Sequence, residues 1–234
     1  MLQFLRFVSL AGVAAAVCGC WQGTTRDVSS TVLFVDGQPT LEHGSRANSI
    51  SLTSDIHPGR DDILATPGTS RVGLSLLPNL LVQLDRGARM EIVRLAVTKD
   101  GNETGNDMQG RFAEIKLGNG RITVSHVWGE AVAQFTVVTP DGVVATPSDA
   151  LFIIETGPQK TRVTCASGWV EFKPLGTGSG ARIPPGSVGQ WPSAGPNITQ
   201  AEADPVAQED LQEAVEVEQI LRRLSTQKRN AFPR

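Results

Sequence analysis

Few residues in this 234-residue chain have a type and spacing that could do chemistry. Asp61 and Asp62 are adjacent, so on a strand they would point to opposite faces and could not work as a paired acid and base. They read as a solvated turn. His43, His57 and His126 lie far apart, with no i,i+4 pair to hold a metal. His126 follows the polar phase of an alternating run and reads as a strand-surface residue. Cys165 lies in the alternating stretch Val163-Thr164-Cys165 and reads as a buried strand thiol, because no histidine or metal-ligand spacing surrounds it. The segment Asp100-Gly101-Asn102-Glu103-Thr104-Gly105 imitates the first half of a calcium loop. Its twelfth position is Arg111, where a bidentate Glu is needed, so it reads as a surface loop. The glycine-rich Gly176–Gly180 is followed by Pro184-Pro185 and not by a helix whose N-terminus could cradle phosphate. Nucleophile-elbow, zinc-protease, Cys-x-x-Cys and P-loop motifs are all absent from the sequence. The pattern predicts no catalytic residue, no cofactor and no metal. Trp128, Trp169 and Trp191 could stack on sugar rings, although packing in a core or at an edge is the more frequent use of the residue.

One residue carries a stronger chemical signal. Residues 1–20 read MLQFLRFVSLAGVAAAVCGC: a single Arg6, an apolar run from Phe7 to Val17, then Cys18-Gly19-Cys20. The run is shorter than the roughly 20 apolar residues a membrane-spanning helix needs. It has the charged and apolar regions of a secretory signal. Val17-Cys18-Gly19-Cys20 resembles a bacterial lipobox, with the small Gly19 at the cleavage position and Cys20 as the residue to be lipidated. Lipidation at Cys18 would place bulky Val17 at that position. Residues 1–19 are therefore expected to be a lipoprotein signal peptide and residues 20–30 a lipid-anchored tether. More than one acyl chain gives stable anchoring. Trp21, in a position where Asp retains enteric lipoproteins at the inner membrane, points to the periplasmic face of the outer membrane.

The elements that follow are short. The chain has 24 glycines and 14 prolines, well above ordinary usage, and 40% hydrophobic residues. That composition predicts many turns around a real core. A net charge of -3 disfavours nucleic acid as a partner, and three cysteines exclude a disulfide scaffold. From Ser30 to Trp191, runs of four to eight β-formers end in Gly, Pro, Asn or Asp. Thr31–Val35 stops at Asp36-Gly37, Val72, Leu74 and Leu76 alternate before Pro78-Asn79, and Ile122 and Val124 alternate after Gly118-Asn119-Gly120. Asn119-Gly120 between two such runs predicts a tight hairpin. Alternation implies sheets with one buried face. The absence of long helices between strands argues against an α/β enzyme fold.

The order of these motifs resembles the FecR domain, a periplasmic all-β module of bacterial cell-envelope proteins. The resemblance spans Thr31 to Trp191. It rests on Gly59 to Thr66 with Asp62 and Ile63, then Ser70 to Leu76, Leu81 to Glu91, and Ile115 to Val124 around Gly118-Asn119-Gly120. It also rests on Phe135-Thr136-Val137-Val138-Thr139-Pro140, on Thr161 to Phe172 with Gly168 at the turn, and on Ile183 to Gln190. Asp149-Ala150-Leu151-Phe152 departs from the family's Gly-Thr-x-Phe, and an extra residue separates Gly59 from the acidic pair. The resemblance implies an all-β fold of many short strands, solenoid- or sandwich-like, in the periplasm. Signalling members carry a cytoplasmic anti-sigma segment and a membrane-spanning helix ahead of this domain, where this sequence goes straight into a lipobox. That expectation argues against transmembrane signalling.

Beyond residues 31–191, residues 192–204 read as a linker and residues 205–226 as one amphipathic helix. Asp204-Pro205 supplies an N-cap and a first-turn proline. Leu211, Ala214, Val217, Leu221 and Leu224 recur at helical spacing, widened by Val215 and Ile220. Acidic residues fill the early turns, and Arg222, Arg223, Lys228 and Arg229 the end, which complements the helix dipole. Such a helix either docks on the β domain or pairs with itself or a partner. The sequence therefore predicts a non-enzymatic, lipid-anchored envelope protein whose FecR-like domain binds another envelope protein. The alternative is a module for cell-wall or surface polysaccharide that uses the three tryptophans.

Overall fold

A computed structural model describes residues 24–44, 49–99, 108–127, 129, 132–158, 160–176, 179–192 and 197–231. In its first half the strands are β1 (Thr24–Asp27), β2 (Thr31–Asp36), β3 (Thr40–His43), β4 (Ser49–Ser51), β5 (Asp62–Ala65), β6 (Arg71–Leu77), β7 (Leu80–Leu84) and β8 (Arg89–Lys99). Then come β9 (Met108–His126), β10 (Val132–Val138), β11 (Gly142–Thr146), β12 (Ala150–Thr156), β13 (Thr161–Gly168), β14 (Val170–Pro174), β15 (Ala181–Ile183), β16 (Ser187–Trp191) and β17 (Asn197–Gln200). The chain closes on α1 (Pro205–Ala231). This is an all-β fold with one C-terminal helix. None of the described helices is long and apolar enough to cross a membrane.

The strands form two faces of a sandwich. One sheet joins β1, β3, β4 and β5 through β8 to β9, then runs through β10, β11 and β14 to β15. The other runs β2, β6, β7, β9, β12, β13, β16, β17. Strand β9 belongs to both. Its first part pairs with β8 and, in parallel, with β10, whereas Ile122–His126 pairs with β7 and β12.

The predicted hairpin at Asn119-Gly120 does not form, because the chain passes straight through it within β9. Gly120 adopts φ 89°, open to glycine at no steric cost, and turns the strand from one sheet into the other. A Cβ there would lie 2.3 Å from the Ala88 Cα. The positive-φ preference was legible, but it serves a corner and not a turn.

Alternation places Val72, Leu74, Leu76, Val82, Leu84, Ile122, Val124, Phe152, Ile154 and Val163 of one sheet against Leu64, Met90, Ile92, Ile115, Leu117, Val137 and Phe172 of the other, all buried in one core. Each fully buried large side chain contributes about 2 kcal/mol by transfer from water. Two segments expected to be irregular are partly paired. Thr24–Asp27, in the expected tether, runs antiparallel to β8, and Asn197–Gln200, in the expected linker, runs antiparallel to β16. A 3-10 turn, Ala201–Ala203, then leads to α1, which extends five residues past the expected end at 226.

Asp204 caps α1 as its sequence position predicts, accepting the Val206 and Ala207 N–H groups at 3.0 and 3.2 Å. The apolar stripe is buried against the chain's own second sheet. Val217 and Leu221 pack on Leu33 and Leu81, and Ala214 packs on Leu151 and Ile153. Gly73 leaves room for this seat, since a Cβ there would meet Phe34 at 2.3 Å and Leu221 at 2.8 Å. Of the two expected uses of the helix, docking on the β domain is thus realised through these residues, while Val215 and Ile220 of the widened stripe stay exposed. At the far end, the Lys228 ammonium donates to the Val32 carbonyl on β2 and, at 3.1 Å, to the Ser54 carbonyl. That covers one polar position on the edge strand β2.

A candidate binding cleft

The outer face of the second sheet carries a row of charge that no local motif encodes. Asp36 on β2 stands opposite Arg71 on β6. One residue beyond the Val72–Leu84 pair comes Asp85, whose N–H donates to the Arg121 carbonyl of β9 at 3.0 Å. Arg121 faces Glu155 on β12, Glu155 faces Arg162 on β13, and Arg162 faces Gln190 on β16. Signs alternate across six strands, and opposite charges directly across a ladder are mutually stabilising.

The helix meets one half of this row. Arg121 reaches Asp210 at 2.9 Å and Glu213 at 2.8 Å, with its Nε 3.7 Å from Asp85. Arg162 reaches Asp204 at 3.1 Å and Asp210 at 3.6 Å. Thr164 donates to Asp210 at 2.8 Å. Asp210 is buried, yet every charge beside it is met by an opposite one, the condition under which a buried carboxylate is tolerated. Burial pushes the Asp85 carboxyl above the usual carboxylate range, against the pull of the hydrogen bond from Gln83.

Because α1 crosses the sheet obliquely, the other half of the row stays open. Its later turns lean on Leu33, Leu81 and Gly73, away from the charged row. The wedge that remains is a cleft of about 260 Å³, lined by Arg71, Asp85, Arg86, Arg121, Glu155 and Glu213, with Gly120 and Thr156 completing it. Its charged groups are guanidiniums and carboxylates. A second, smaller cavity of about 10 Å³ lies beside Arg111, His126 and Phe135, room for about one water.

The residues singled out from sequence are scattered. Cys18, Cys20, Trp128 and the loop Asp100–Gly105 lie outside the described residues. Trp191 is buried, its ring stacked on Phe172 with centroids 3.8 Å apart, so it is a core residue and offers no face to a sugar. Trp169 is half-buried, and the Arg182 guanidinium covers its ring at 3.7 Å. These two tryptophans form no common platform.

Two other expectations are corrected, and that for Cys165 agrees with the structure. His126 is buried at the end of β9 beside Phe135 (centroids 6.1 Å apart), not on a strand surface, and burial lowers its pKa. Asp62 is buried and not solvated. It bonds His43 Nδ1 and accepts the Gly59 N–H at 2.7 Å, while neighbouring Asp61 turns the chain with φ 65°. Cys165 is buried, and desolvation pushes its thiol up to about 12. Among the described residues, no group of three or more ligating side chains could hold a metal ion.

Comparison with known proteins adds little. No family model matches the chain, and no curated protein does. Two crystal structures of a provisionally assigned anti-sigma factor from Parabacteroides distasonis overlap it. One is 18% identical with a TM-score of 0.42, the other 17% identical with a TM-score of 0.41. Each overlap covers 59% of this chain and 58% of the other, so the chain spans under two thirds of the structures it resembles. Those scores describe a partial overlap, and the fold above rests on the chain's own strand pairing.

Proposed function

We propose that this chain is a non-enzymatic, lipid-anchored protein of the bacterial cell envelope whose FecR-like β domain binds another protein, as a scaffold or sensing module. The observation that carries the reading is the ordered series of strand and glycine motifs from Thr31 to Trp191. These motifs occupy β2 to β16 of a single sandwich. The lipobox ending at Cys20 supports anchoring at the periplasmic face of the outer membrane. The groups gathered on the open part of the second sheet are suited to recognition of charge.

Deletion of the chain is expected to change the size or composition of at least one envelope protein complex resolved on native gels, and re-expression to restore it. An unchanged set of complexes would sink the reading. Polysaccharide binding stays the alternative on sequence grounds, but the burial of Trp191 removes one of its three supports. Titration with peptidoglycan fragments, followed by tryptophan fluorescence, is expected to give no change.

A further inference from the structure

The charged row is used up unevenly. Arg121 is committed to Asp210 and Glu213, and Arg162 to Asp204 and Asp210. Asp85 is held between Gln83 and Arg121. Three groups that line the cleft are exposed: Arg71 and Arg86 at one end and Glu155 at the other. Among the described residues, none of the three makes an ion pair or a side-chain hydrogen bond. Between these positive and negative ends lie Asp85, Arg121 and Glu213, with Arg121 paired to both carboxylates.

Arg71 and Glu155 stand on β6 and β12, with β7 and β9 between them. Three strand spacings are roughly 14 Å between backbones. That is close to the roughly 13 Å spanned by four extended residues, whose side chains at i and i+4 share one face. The chain itself shows how this surface is satisfied, because α1 and its cap bring the side-chain carboxylates of Asp204, Asp210 and Glu213 to the row's other arginines.

We propose that the cleft docks an extended segment of the partner protein that carries an acidic and a basic side chain four residues apart, and so on one face, the acid on Arg71 and Arg86 and the base on Glu155. This rests on the binding-module reading and names the chemistry of its partner. A wholly acidic or wholly basic segment would leave one end unmet and place like charges over Asp85 or Arg121.

The test uses the detergent-purified full chain and the probe acetyl-Glu-Gly-Gly-Gly-Lys-amide, with binding followed by NMR shifts. Acetyl-Glu-Gly-Gly-Gly-Glu-amide and acetyl-Lys-Gly-Gly-Gly-Lys-amide are the controls. The mixed-charge probe is expected to bind best. R71E/R86E is expected to weaken it about tenfold, the size of one or two partly exposed ion pairs. The triple variant R71E/R86E/E155K, which inverts the site, is expected to recover binding, since the probe can turn round. Lys116→Glu on the opposite sheet should change nothing.

Equal binding of all three peptides, no recovery in the triple variant, or binding of polygalacturonate in place of the peptide would each overturn the proposal. A cellular arm separates it from the wider reading. A partner captured equally by wild type and by R71E/R86E refutes the cleft alone, whereas a wild type that captures no partner refutes the binding module.

Discussion

Arg121 on β9 and Asp210 on α1 meet at 2.9 Å across the seam between the sheet and the helix. That contact ties the end of the chain to its middle. Asp210 also lies 3.6 Å from Arg162 and accepts from Thr164, so one buried carboxylate joins two strands to the helix. Breaking such a pair leaves uncompensated charge. Asp210→Ala is predicted to lower stability by about 3 kcal/mol. It should also raise amide exchange across α1 before the sandwich opens. Urea denaturation together with hydrogen exchange checks both. A helix that exchanges no faster in the variant would show that the seam does not hold it.

Gly120 is predicted to be irreplaceable. Gly120→Ala meets both a positive φ and a Cβ position 2.3 Å from the Ala88 Cα. The expected loss is on the order of 3 kcal/mol or more, enough to unfold a marginal domain. Thermal melting that stays within about 2 °C of wild type would contradict the corner role.

The same residues show what a reader of the sequence could and could not see. The alternation of Val72, Leu74 and Leu76 reports a buried face directly, because side chains on a strand point to opposite faces in turn. The helical spacing of Ala214, Val217 and Leu221, with Asp204 as cap, reports α1. Asn119-Gly120 signals positive φ, but hairpin and corner need the same backbone, and only the pairing of β9 with both sheets separates them. The charged row was illegible for a different reason. Arg71, Asp85, Glu155 and Arg162 each sit at or near the end of a short strand, Arg121 sits beside the corner within β9, and register alone brings them into line. Asp62 looked solvated because its partner, His43, arrives from another strand.

Two buried groups give opposite pH dependences. Asp85 has a raised folded pKa because of burial, so the folded state holds its proton more tightly than the unfolded chain. Its contribution is present at low pH and is lost as pH rises through that raised value. Asp85→Asn should therefore gain stability relative to wild type at neutral pH, and the gain should vanish toward pH values below the ordinary aspartate range. His126 has a lowered folded pKa, mainly from burial, so its contribution is present above the ordinary histidine pKa and falls as pH drops toward the folded value. His126→Gln should flatten that decline. Stability curves from urea titrations at a series of pH values read both slopes, and a slope of the wrong sign for either residue rules out its assigned role.

The Cys165 thiol, pushed up to about 12 by burial, is predicted to stay unmodified by a thiol reagent at pH 8 until the protein unfolds. Measured labelling rates should track unfolding. Rapid labelling of the native protein would mean the site is open.

Lipidation is predicted at Cys20. Cells fed labelled fatty acid should incorporate label into the wild type and into Cys18→Ala, and lose it in Cys20→Ala. Retained label in Cys20→Ala would move the anchor to Cys18 or remove the lipobox reading.

The central claim is that the β sandwich binds a protein of the envelope, and cross-linking in intact cells tests it most directly. The full-length chain is cross-linked, purified by affinity and analysed by mass spectrometry. The account predicts one dominant envelope protein, with cross-linked peptides from the β domain between Thr31 and Trp191. Recovery of glycan without a specific protein, or of no partner at all, would contradict it.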